Sequence, residues 1–390
     1  MKSWLAVFPF LLFLFVLPFP GTVAMRLLCL TTIVLISVSA WRRFDPPRFP
    51  HKLVFIFWIM VCGLSLGYAV DPVYSFGEIK NEVGYSLLAL IAFFVASSEK
   101  KWLILGSWAV LCSLTTIAIW ALFSIFQMGY WVEAGKHGGS GTYVSLLLMA
   151  LPLIFLLWNW QHKSRKLLVW ISIIAAFAGA YSRQRVLWPV LGVEMGLLIY
   201  LLASRSGNHF SLKRAMGLFF GVLAVSSILL IATQGARLAS QGGAVEIDND
   251  QRLKYWPAVT SEILSHPLTG AGFGRNAMKI GYPNLVHAPE FWHAHNLVLN
   301  YGISMGIPGI IALLTLFSAM FLTYWKMYRH VDEDISIVGT AGLMLLSGVM
   351  LRNLSNDFFL RDMALLFWSL NGMLLGYGER ICSRVVRKEV

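Results

Sequence analysis

The sequence predicts an all-α polytopic membrane protein with about twelve transmembrane helices. Of its 390 residues, 57% are hydrophobic and only 13% are charged, a balance that soluble domains do not show. The apolar residues fall into separate segments, each close to the roughly 17–25 residues that a spanning helix requires. One long polar stretch, at residues 233–293, interrupts the pattern between the ninth and tenth segments.

The predicted spans lie close together on both sides of this stretch. The first follows Lys2 and ends at Pro20 with no small-residue cleavage site, which predicts a retained helix rather than a removed signal peptide. We expect helices 1–9 in residues 1–232, an outer-loop subdomain in 233–293, and helices 10–12 with a cytoplasmic tail in 294–390. The spans are 4–20, 21–40, 53–70, 82–98, 102–128, 141–160, 167–181, 186–203, 215–232, 296–325, 335–351 and 362–378.

Lysine and arginine are distributed unequally between the two sides of the predicted bundle. Nineteen of the 31 fall on the side of the N-terminus, eleven fall on the other side, and Arg26 lies within the second span. Because cytoplasmic loops accumulate these residues, both termini are predicted to be cytoplasmic and 233–293 to lie outside. The same bias accounts for the net charge of +12, so we expect membrane lipid and no nucleic acid as a partner.

No pattern in the sequence is typical of a metal or nucleotide site. The four cysteines lie in apolar segments or near the C-terminal end, which predicts neither a disulfide nor a thiolate site. His293 and His295 are two positions apart, a spacing that would direct them to different sides of a helix, and Glu290 is the only close carboxylate. The glycines of residues 270–274 follow no strand, which favours a tight turn over a nucleotide-binding loop. We therefore expect no metal ion and no cofactor.

Several cations on the predicted outer side stand in short turns, where the orientation rule disfavours them. Arg183 and Arg185 share a turn of about four residues between two spans. Arginines at the membrane edge are costly and usually paired, and a guanidinium group matches the oxygens of a diphosphate with parallel hydrogen bonds. Contact with lipid headgroups is the alternative explanation. The occurrence of a pair favours anion binding.

Other polar residues on the outer side are candidates for a supporting role. Arg352, Asp357 and Arg361 occupy the turn between the last two spans, and Lys80 precedes the fourth span. Salt bridges within the turn are a sufficient alternative explanation for the first three. Arg252 lies in a predicted helix over 251–265, where it either reaches a phosphate group or pairs with the acidic residues just before it.

His295 and Asn296 begin the tenth span, where polar loop meets apolar helix. A neutral imidazole accepts a proton near neutral pH, as a general base must. Asn296 and the unpaired N–H groups of a helix start can hold this histidine or bind an anion. A histidine that only satisfies the end of the helix is the structural alternative.

Five segments of the chain, taken in order, resemble the motifs of the O-antigen ligase family, within the O-antigen ligase/polymerase superfamily. The resemblance spans about half of the chain. Gln184-Arg185 depart from the pattern, since many relatives carry glycine and a small residue there. The matching segments are Gly141-Thr142-Tyr143 before Leu151-Pro152-Leu153, Ser182-Arg183, Arg252 with Trp256, His266-Pro267 with Gly270 and Gly272, and His295-Asn296 followed by Gly306 and Gly309.

The resemblance implies a C-type glycosyltransferase in the bacterial inner membrane, with its active site and the 233–293 loop facing the periplasm. It implies that Arg183 and Arg252, with Arg185 beside them, hold the pyrophosphate of an undecaprenyl-linked glycan donor. It also implies that His295 activates a hydroxyl of the lipid A–core acceptor in a metal-independent, inverting transfer. The expected function is that of an O-antigen ligase.

Alternatives from the same superfamily and from another class stay open. An O-antigen polymerase uses a second polyprenyl-linked glycan as acceptor, and a protein O-oligosaccharyltransferase uses a protein hydroxyl. A polyprenyl-glycan transporter is the alternative from a different class. Inverted repeats and charges in mid-membrane are typical of transporters, whereas only Arg26 and Glu194 lie in the interior of the spans of this chain, away from their ends. The complete motif from His295 to Gly309 favours the ligase.

Overall fold

The computed structural model describes residues 4–39, 41, 46–129, 131, 139–205, 251–286, 292–357, 359 and 361–389. All regular elements within these ranges are helices and none is a strand, which confirms the all-α class. The predicted span 215–232 lies outside the described residues, as does the loop from there to residue 250. The division into 1–232, 233–293 and 294–390 stays a prediction.

Fourteen α-helices follow one another in the described residues. Short 3₁₀ turns lie at Ser65–Gly67, His162–Ser164 and Pro283–Leu285, and a π-helical segment, Ile79–Gly84, joins α4 to α5. The helices are α1 (Trp4–Val16), α2 (Val23–Ser39), α3 (Lys52–Leu64), α4 (Pro72–Glu78), α5 (Tyr85–Ala96), α6 (Lys100–Met128), α7 (Ser140–Trp160), α8 (Arg165–Tyr181), α9 (Leu187–Arg205), α10 (Gln251–Ser265), α11 (Ala277–Gly281), α12 (Leu297–Tyr328), α13 (Glu333–Leu354) and α14 (Arg361–Glu389).

Seven stretches of the described chain are long and apolar enough to cross a membrane. Three further apolar helices are shorter, at Val7–Val16, Val23–Ser39 and Lys52–Gly67. Eleven of the twelve predicted spans coincide with helices, whereas twelve crossings stay a prediction. The seven stretches are Pro72–Ala96, Lys100–Met128, Ser140–Trp160, His162–Tyr181, Leu187–Arg205, Leu297–Tyr328 and Glu333–Leu354.

The long helices alternate in direction, so the bundle has two ends that carry different groups. At one end, Nζ of Lys100 lies 2.7 Å from Oδ1 of Asp334, which joins the start of α6 to the start of α13. At the other end, Nε2 of Gln184 donates to Oγ of Ser140 at 2.9 Å, which joins the turn after α8 to the start of α7. We call these the Lys100 end and the His295 end.

Arg26, the cation that the sequence places inside a span, is paired at the His295 end. Its side chain is buried, and its guanidinium group contacts Asp362 in the first turn of α14. Its Nε donates to Oγ1 of Thr22 at 2.7 Å. An arginine within a membrane helix usually has such a partner, and this one ties α2 to α14.

Helix α12 is broken at Gly306, the tenth of its 32 residues. Gly306 has φ 68° and ψ −164°, which a residue with a Cβ rarely adopts, and Pro308 follows without a backbone N–H. In a regular helix, the carbonyls of Ile303 and Ser304 would accept hydrogen bonds from residues 307 and 308. The break therefore leaves these two carbonyls and the N–H of Ile307 without partners inside α12.

The loop that follows α10 provides the missing donors. The N–H of Ala271 donates to the carbonyl of Ile303 at 3.1 Å, and the N–H of Gly272 donates to the carbonyl of Ser304 at 3.0 Å. Apolar surroundings offer no water to satisfy such carbonyls. The loop therefore completes the backbone hydrogen bonding of the broken helix.

The same loop also accepts the N–H that the break releases. Ile307 donates to the carbonyl of Pro267 at 2.8 Å. A Cβ on Gly306 would lie 2.7 Å from that carbonyl oxygen, and a Cβ on Gly270 would lie 2.4 Å from the carbonyl carbon of Ser304. Glycine is required at both positions because the two backbones touch. The tight turn predicted from the sequence does not account for this contact.

Helices α5 and α14 also approach each other closely, through two glycines of α14. A Cβ on Gly372 would lie 2.4 Å from the carbonyl oxygen of Leu90, and a Cβ on Gly376 would lie 2.2 Å from that of Phe94. Small residues at helix interfaces are typical of membrane proteins, because they allow backbones to pack against each other. This contact holds the last helix against the N-terminal half of the bundle.

Gly376→Ala is expected to lower thermal stability, because the added methyl group would overlap the backbone of α5. Overpacking of this kind costs about 1–3 kcal/mol. The measurement is the temperature at which the detergent-solubilised protein loses its monodisperse peak in size-exclusion chromatography. Gly63→Ala is the matched control, since nothing lies within 4 Å of a Cβ added there. Equal transition temperatures for the two variants would contradict the close contact.

Candidate active site

Asn296 fixes the start of α12 at the His295 end. Its Oδ1 accepts hydrogen bonds from the N–H groups of Val298 at 2.9 Å and Leu299 at 3.2 Å, donors that a helix start leaves unpaired. Its Nδ2 donates at 2.8 Å to the carbonyl of Leu354, the last residue of α13. This cap ties α12 to α13 and places His295 directly before the helix.

The ring of His295 is oriented by Asn356, in the turn after α13. Nδ1 of His295 and Oδ1 of Asn356 are 3.1 Å apart. The same oxygen accepts the backbone N–H of Asp357 at 2.9 Å. The oxygen of the Asn356 amide, rather than its nitrogen, therefore faces the His295 ring. An amide oxygen only accepts hydrogen bonds, and this network assigns the proton of the ring to Nδ1. The lone pair of the neutral ring is then on Nε2, where a general base requires it.

A second histidine, His293, lies against His295 and is only 1% exposed. The centres of the two rings are 3.8 Å apart. Nδ1 of His293 accepts the backbone N–H of His295 at 3.0 Å, and its Nε2 contacts the guanidinium group of Arg275. Arg275 also stacks over the ring of Trp292, 4.7 Å from the ring centre. The ring of His295 therefore packs against a buried group of side chains that includes the cation of Arg275.

Asp357 adds a buried carboxylate to the same cluster. It accepts hydrogen bonds from Nδ2 of Asn300 and, at 3.3 Å, from the backbone N–H of Phe359. Oδ1 of Asn300 accepts the N–H of Ala294 at 2.8 Å, which links the carboxylate to the segment that carries both histidines. Burial raises the pKa of Asp357, whereas the charge of Arg275 and the hydrogen bonds from Asn300 and Phe359 lower it.

A small cavity lies beside this cluster. Its polar lining consists of Glu82, Arg275, Asn300, Ser304 and Asp357. Burial lowers the pKa of Arg275, whereas the nearby carboxylates of Asp357 and Glu82 raise it. The nearby charge of Asp357 thus favours a guanidinium charge that would otherwise be costly to bury.

Glu82 belongs to the π-helical segment Ile79–Gly84, and such segments are frequent at functional sites. The sequence predicts that the fourth span begins at residue 82, whereas the helix begins ten residues earlier, at Pro72. Oδ1 of Asp71 caps this start by accepting the N–H of Tyr74 at 2.9 Å. The charged residues Glu78 and Lys80 obscure this earlier start in the sequence, because they interrupt the apolar pattern just before position 82.

The predicted phosphate-binding arginines lie apart from the histidine cluster but at the same end of the bundle. Arg183 and Arg185 are exposed in the turn between α8 and α9, which Gln184 joins to the start of α7. Arg183 has φ 54°, a left-handed conformation that non-glycine residues adopt rarely. Arg252 lies in the first turn of α10, and its side chain lies outside the described part of the structure.

The predicted supporting residues fall into three different environments. Asn296 and Asp357 belong to the His295 cluster. Lys80 is exposed on the π-helical segment, and Nη2 of Arg361 lies 3.6 Å from Oε1 of Glu78 at the start of that segment. Arg352 is 1% exposed near the end of α13, so its side chain is part of the interior.

The structure adds residues that the sequence analysis did not select. Asn356 lies within the turn whose charged residues the sequence singles out, and no spacing in the sequence relates it to His295. The sequence presents His293 only as a candidate metal ligand, and the described residues contain no group of three or more His, Cys, Asp or Glu side chains that could hold a metal ion. Arg275 is one of the eleven cations on the predicted outer side and Glu82 begins the fourth predicted span, but nothing in the sequence relates either to His295, because their partners are distant in the chain.

The arrangement provides an oriented imidazole beside a buried charged cluster, with exposed arginines at the same end. Residues 170–314 match a family model described as O-Antigen ligase. The matched region contains Arg183, Arg252 and His295, and it extends from α8 past the break in α12. No curated protein sequence matches the chain.

Proposed function

We propose, on the premise that this chain belongs to the O-antigen ligase family, that it transfers a glycan from undecaprenyl pyrophosphate to lipid A–core oligosaccharide. The observation that carries the proposal is the orientation of His295 by Asn356, 3.1 Å from Nδ1, which leaves Nε2 as the basic nitrogen. The match to the family model covers this histidine. The enzyme is thus a membrane glycosyltransferase of lipopolysaccharide assembly.

His295 acts on the acceptor. Nε2 accepts the proton of the acceptor hydroxyl while its oxygen forms a bond to the anomeric carbon of the donor glycan. The bond between that carbon and the pyrophosphate oxygen breaks, and the electron pair leaves with undecaprenyl pyrophosphate. One direct displacement inverts the anomeric centre. Asn356 keeps the ring in the required tautomer and accepts a stronger hydrogen bond from Nδ1–H once the ring is charged.

Arginines act on the donor. Arg183, Arg185 and Arg252 bind the pyrophosphate, whose departure is easier when its negative charge is neutralised. The exposure of Arg183 and Arg185 at the His295 end supports this role. Three cations make a divalent metal ion unnecessary for charge neutralisation. Lys80 and Arg361, also at this end, add to the positive field without direct contact with the reacting atoms.

The proposed location is the bacterial inner membrane, with the His295 end facing the periplasm. The bias of lysine and arginine towards the loops of the opposite side supports this orientation. A lipid-linked donor and a lipid-anchored acceptor both reach a site at the membrane surface. An O-antigen polymerase and a protein O-oligosaccharyltransferase would use the same donor chemistry and differ in the acceptor, so the acceptor is the quantity to test.

His295→Ala is expected to reduce transfer by roughly 10²–10⁴-fold, the usual contribution of a general base. The assay combines purified protein, undecaprenyl-pyrophosphate-linked glycan and rough lipopolysaccharide, and it measures the glycosylated lipopolysaccharide formed. Binding of the donor should persist in this variant. His162→Ala is the control, since His162 is exposed at the Lys100 end. Full activity of His295→Ala would exclude it as the base, and a glycan lengthened on its own carrier would identify a polymerase.

Asn356→Leu is expected to reduce the rate by about 10²-fold, because the ring of His295 loses the acceptor that selects its tautomer and position. Asn356→Asp should retain much more activity, since a carboxylate oxygen also accepts from Nδ1–H. The same assay measures both variants at matched protein concentration. If Leu and Asp prove equally harmful, Asn356 does not act through this hydrogen bond.

Arg183→Lys and Arg252→Lys are each expected to weaken transfer although the charge is kept, because lysine cannot form two parallel hydrogen bonds. Loss of one charge-assisted contact costs roughly 1.5–3 kcal/mol. Arg165→Lys at the Lys100 end is the control. Near-normal transfer by both Lys variants would remove these arginines from the donor site. Activity should be unchanged in excess EDTA, and metal-dependent rescue would contradict the mechanism.

A further inference from the structure

We propose that His293 is a positioning residue for His295, and that it acts through Nδ1 rather than through its contact with Arg275. The inference rests on the proposed role of His295 as the base. His293 does not touch the substrate in this account. It determines where the backbone of His295 lies, and through the backbone where Nε2 points.

The backbone of His295 needs such support because its conformation is unfavourable. His295 has φ 52°, in the left-handed region that non-glycine residues occupy rarely. Strained residues persist only where the surroundings enforce the conformation. The hydrogen bond from the N–H of His295 to Nδ1 of His293, at 3.0 Å, closes a loop of two residues and holds the strained residue in place.

The neighbouring backbone groups are fixed as well, so the support is continuous. The N–H of Ala294 donates to Oδ1 of Asn300 at 2.8 Å, and the carbonyl of Ala294 accepts from Nε1 of Trp256 at 2.9 Å. His295 is thus the end of a short segment whose preceding peptide groups are held by the side chains of Asn300 and Trp256. Removal of the contact at His293 would release only the last of these groups, the one that carries the base.

The two contacts of His293 cannot both be hydrogen bonds at once. The N–H of His295 and the guanidinium group of Arg275 are both donors, and they approach Nδ1 and Nε2 respectively. A neutral imidazole has one lone pair and one N–H, so it accepts from one of these donors only. A positive charge on the ring would face Arg275, which favours the neutral ring.

The lone pair belongs on Nδ1 because Arg275 is stabilised by other groups. Its guanidinium group stacks over Trp292 and is attracted by the nearby carboxylate of Asp357. With Nε2 protonated, His293 packs against Arg275 without accepting from it. With this assignment, the roles of Nδ1 and Nε2 can be tested separately by mutation.

Two amide substitutions test the assignment, since each reproduces one ring nitrogen. The amide of asparagine reaches the position of Nδ1, and the longer side chain of glutamine reaches the position of Nε2. We expect His293→Asn to keep kcat within about 10-fold of the wild type and His293→Gln to lose about 10²-fold, the usual effect of a displacement near 1 Å. The KM for the lipid-linked donor should stay unchanged in both, because His293 does not contact the donor.

Controls separate positioning from folding. His162→Asn and His162→Gln are the matched pair at the opposite end of the bundle and should equal the wild type. Each protein is first compared by melting temperature and size-exclusion profile. If His293→Gln fails to fold, Arg275→Lys replaces it: this variant keeps a cation near Asp357 but withdraws it from Nε2, and it should keep kcat near normal.

The outcomes distinguish this inference from the proposed function. An active His293→Gln with an impaired His293→Asn, or a strong loss of kcat in folded Arg275→Lys, would show that Nε2 is the important nitrogen and would overturn the inference. Equal kcat values for the Asn and Gln variants would also overturn it. In each case an inactive His295→Ala would leave the proposed function intact, whereas an active His295→Ala would remove both.

Discussion

The hydrogen bonds from the loop of residues 267–272 to the broken helix α12 are the interaction on which the His295 end depends. The break at Gly306 releases two carbonyls and one N–H in an apolar environment, and three backbone hydrogen bonds of 2.8–3.1 Å from the loop satisfy them. Without these bonds, the first part of α12 would carry unsatisfied polar groups at a depth where water is scarce. The loop and the helix therefore form one unit, although the sequence separates them by the segment that contains both histidines.

The site follows from this closure by a short series of contacts. The first part of α12 begins at the Asn296 cap, which is tied to the end of α13, and the turn after α13 supplies Asn356 and Asp357. The loop supplies Arg275 shortly after the docked residues. His295, the asparagine that orients its ring and the buried ion cluster are thus positioned by the same few backbone hydrogen bonds, and none of them requires a separate soluble domain.

The sequence predicts those features that depend on local pattern. Apolar length predicts eleven helices at the observed places, and the motif at His295 predicts the start of α12. Asn356 is not predictable in this way, since it is 61 residues from His295 and its role depends on its amide oxygen, rather than its nitrogen, facing the ring. The break at Gly306 is also hidden, because the apolar pattern continues through it and the compensating donors come from another segment. The residues of the proposed donor site, Arg183 and Arg252, are predicted by resemblance.

The order of these segments along the chain bears on how the protein is made. Translation produces the docking loop before α12, so that loop is already present when the helix leaves the ribosome. A half-span that ends in unpaired backbone groups is poorly suited to independent insertion, because hydrocarbon offers those groups no partner. Membrane insertion of α12 and its pairing with the loop therefore belong to one step of biogenesis. The segment that carries His295 therefore becomes stable only after α12 has paired with the docking loop, which is synthesised earlier.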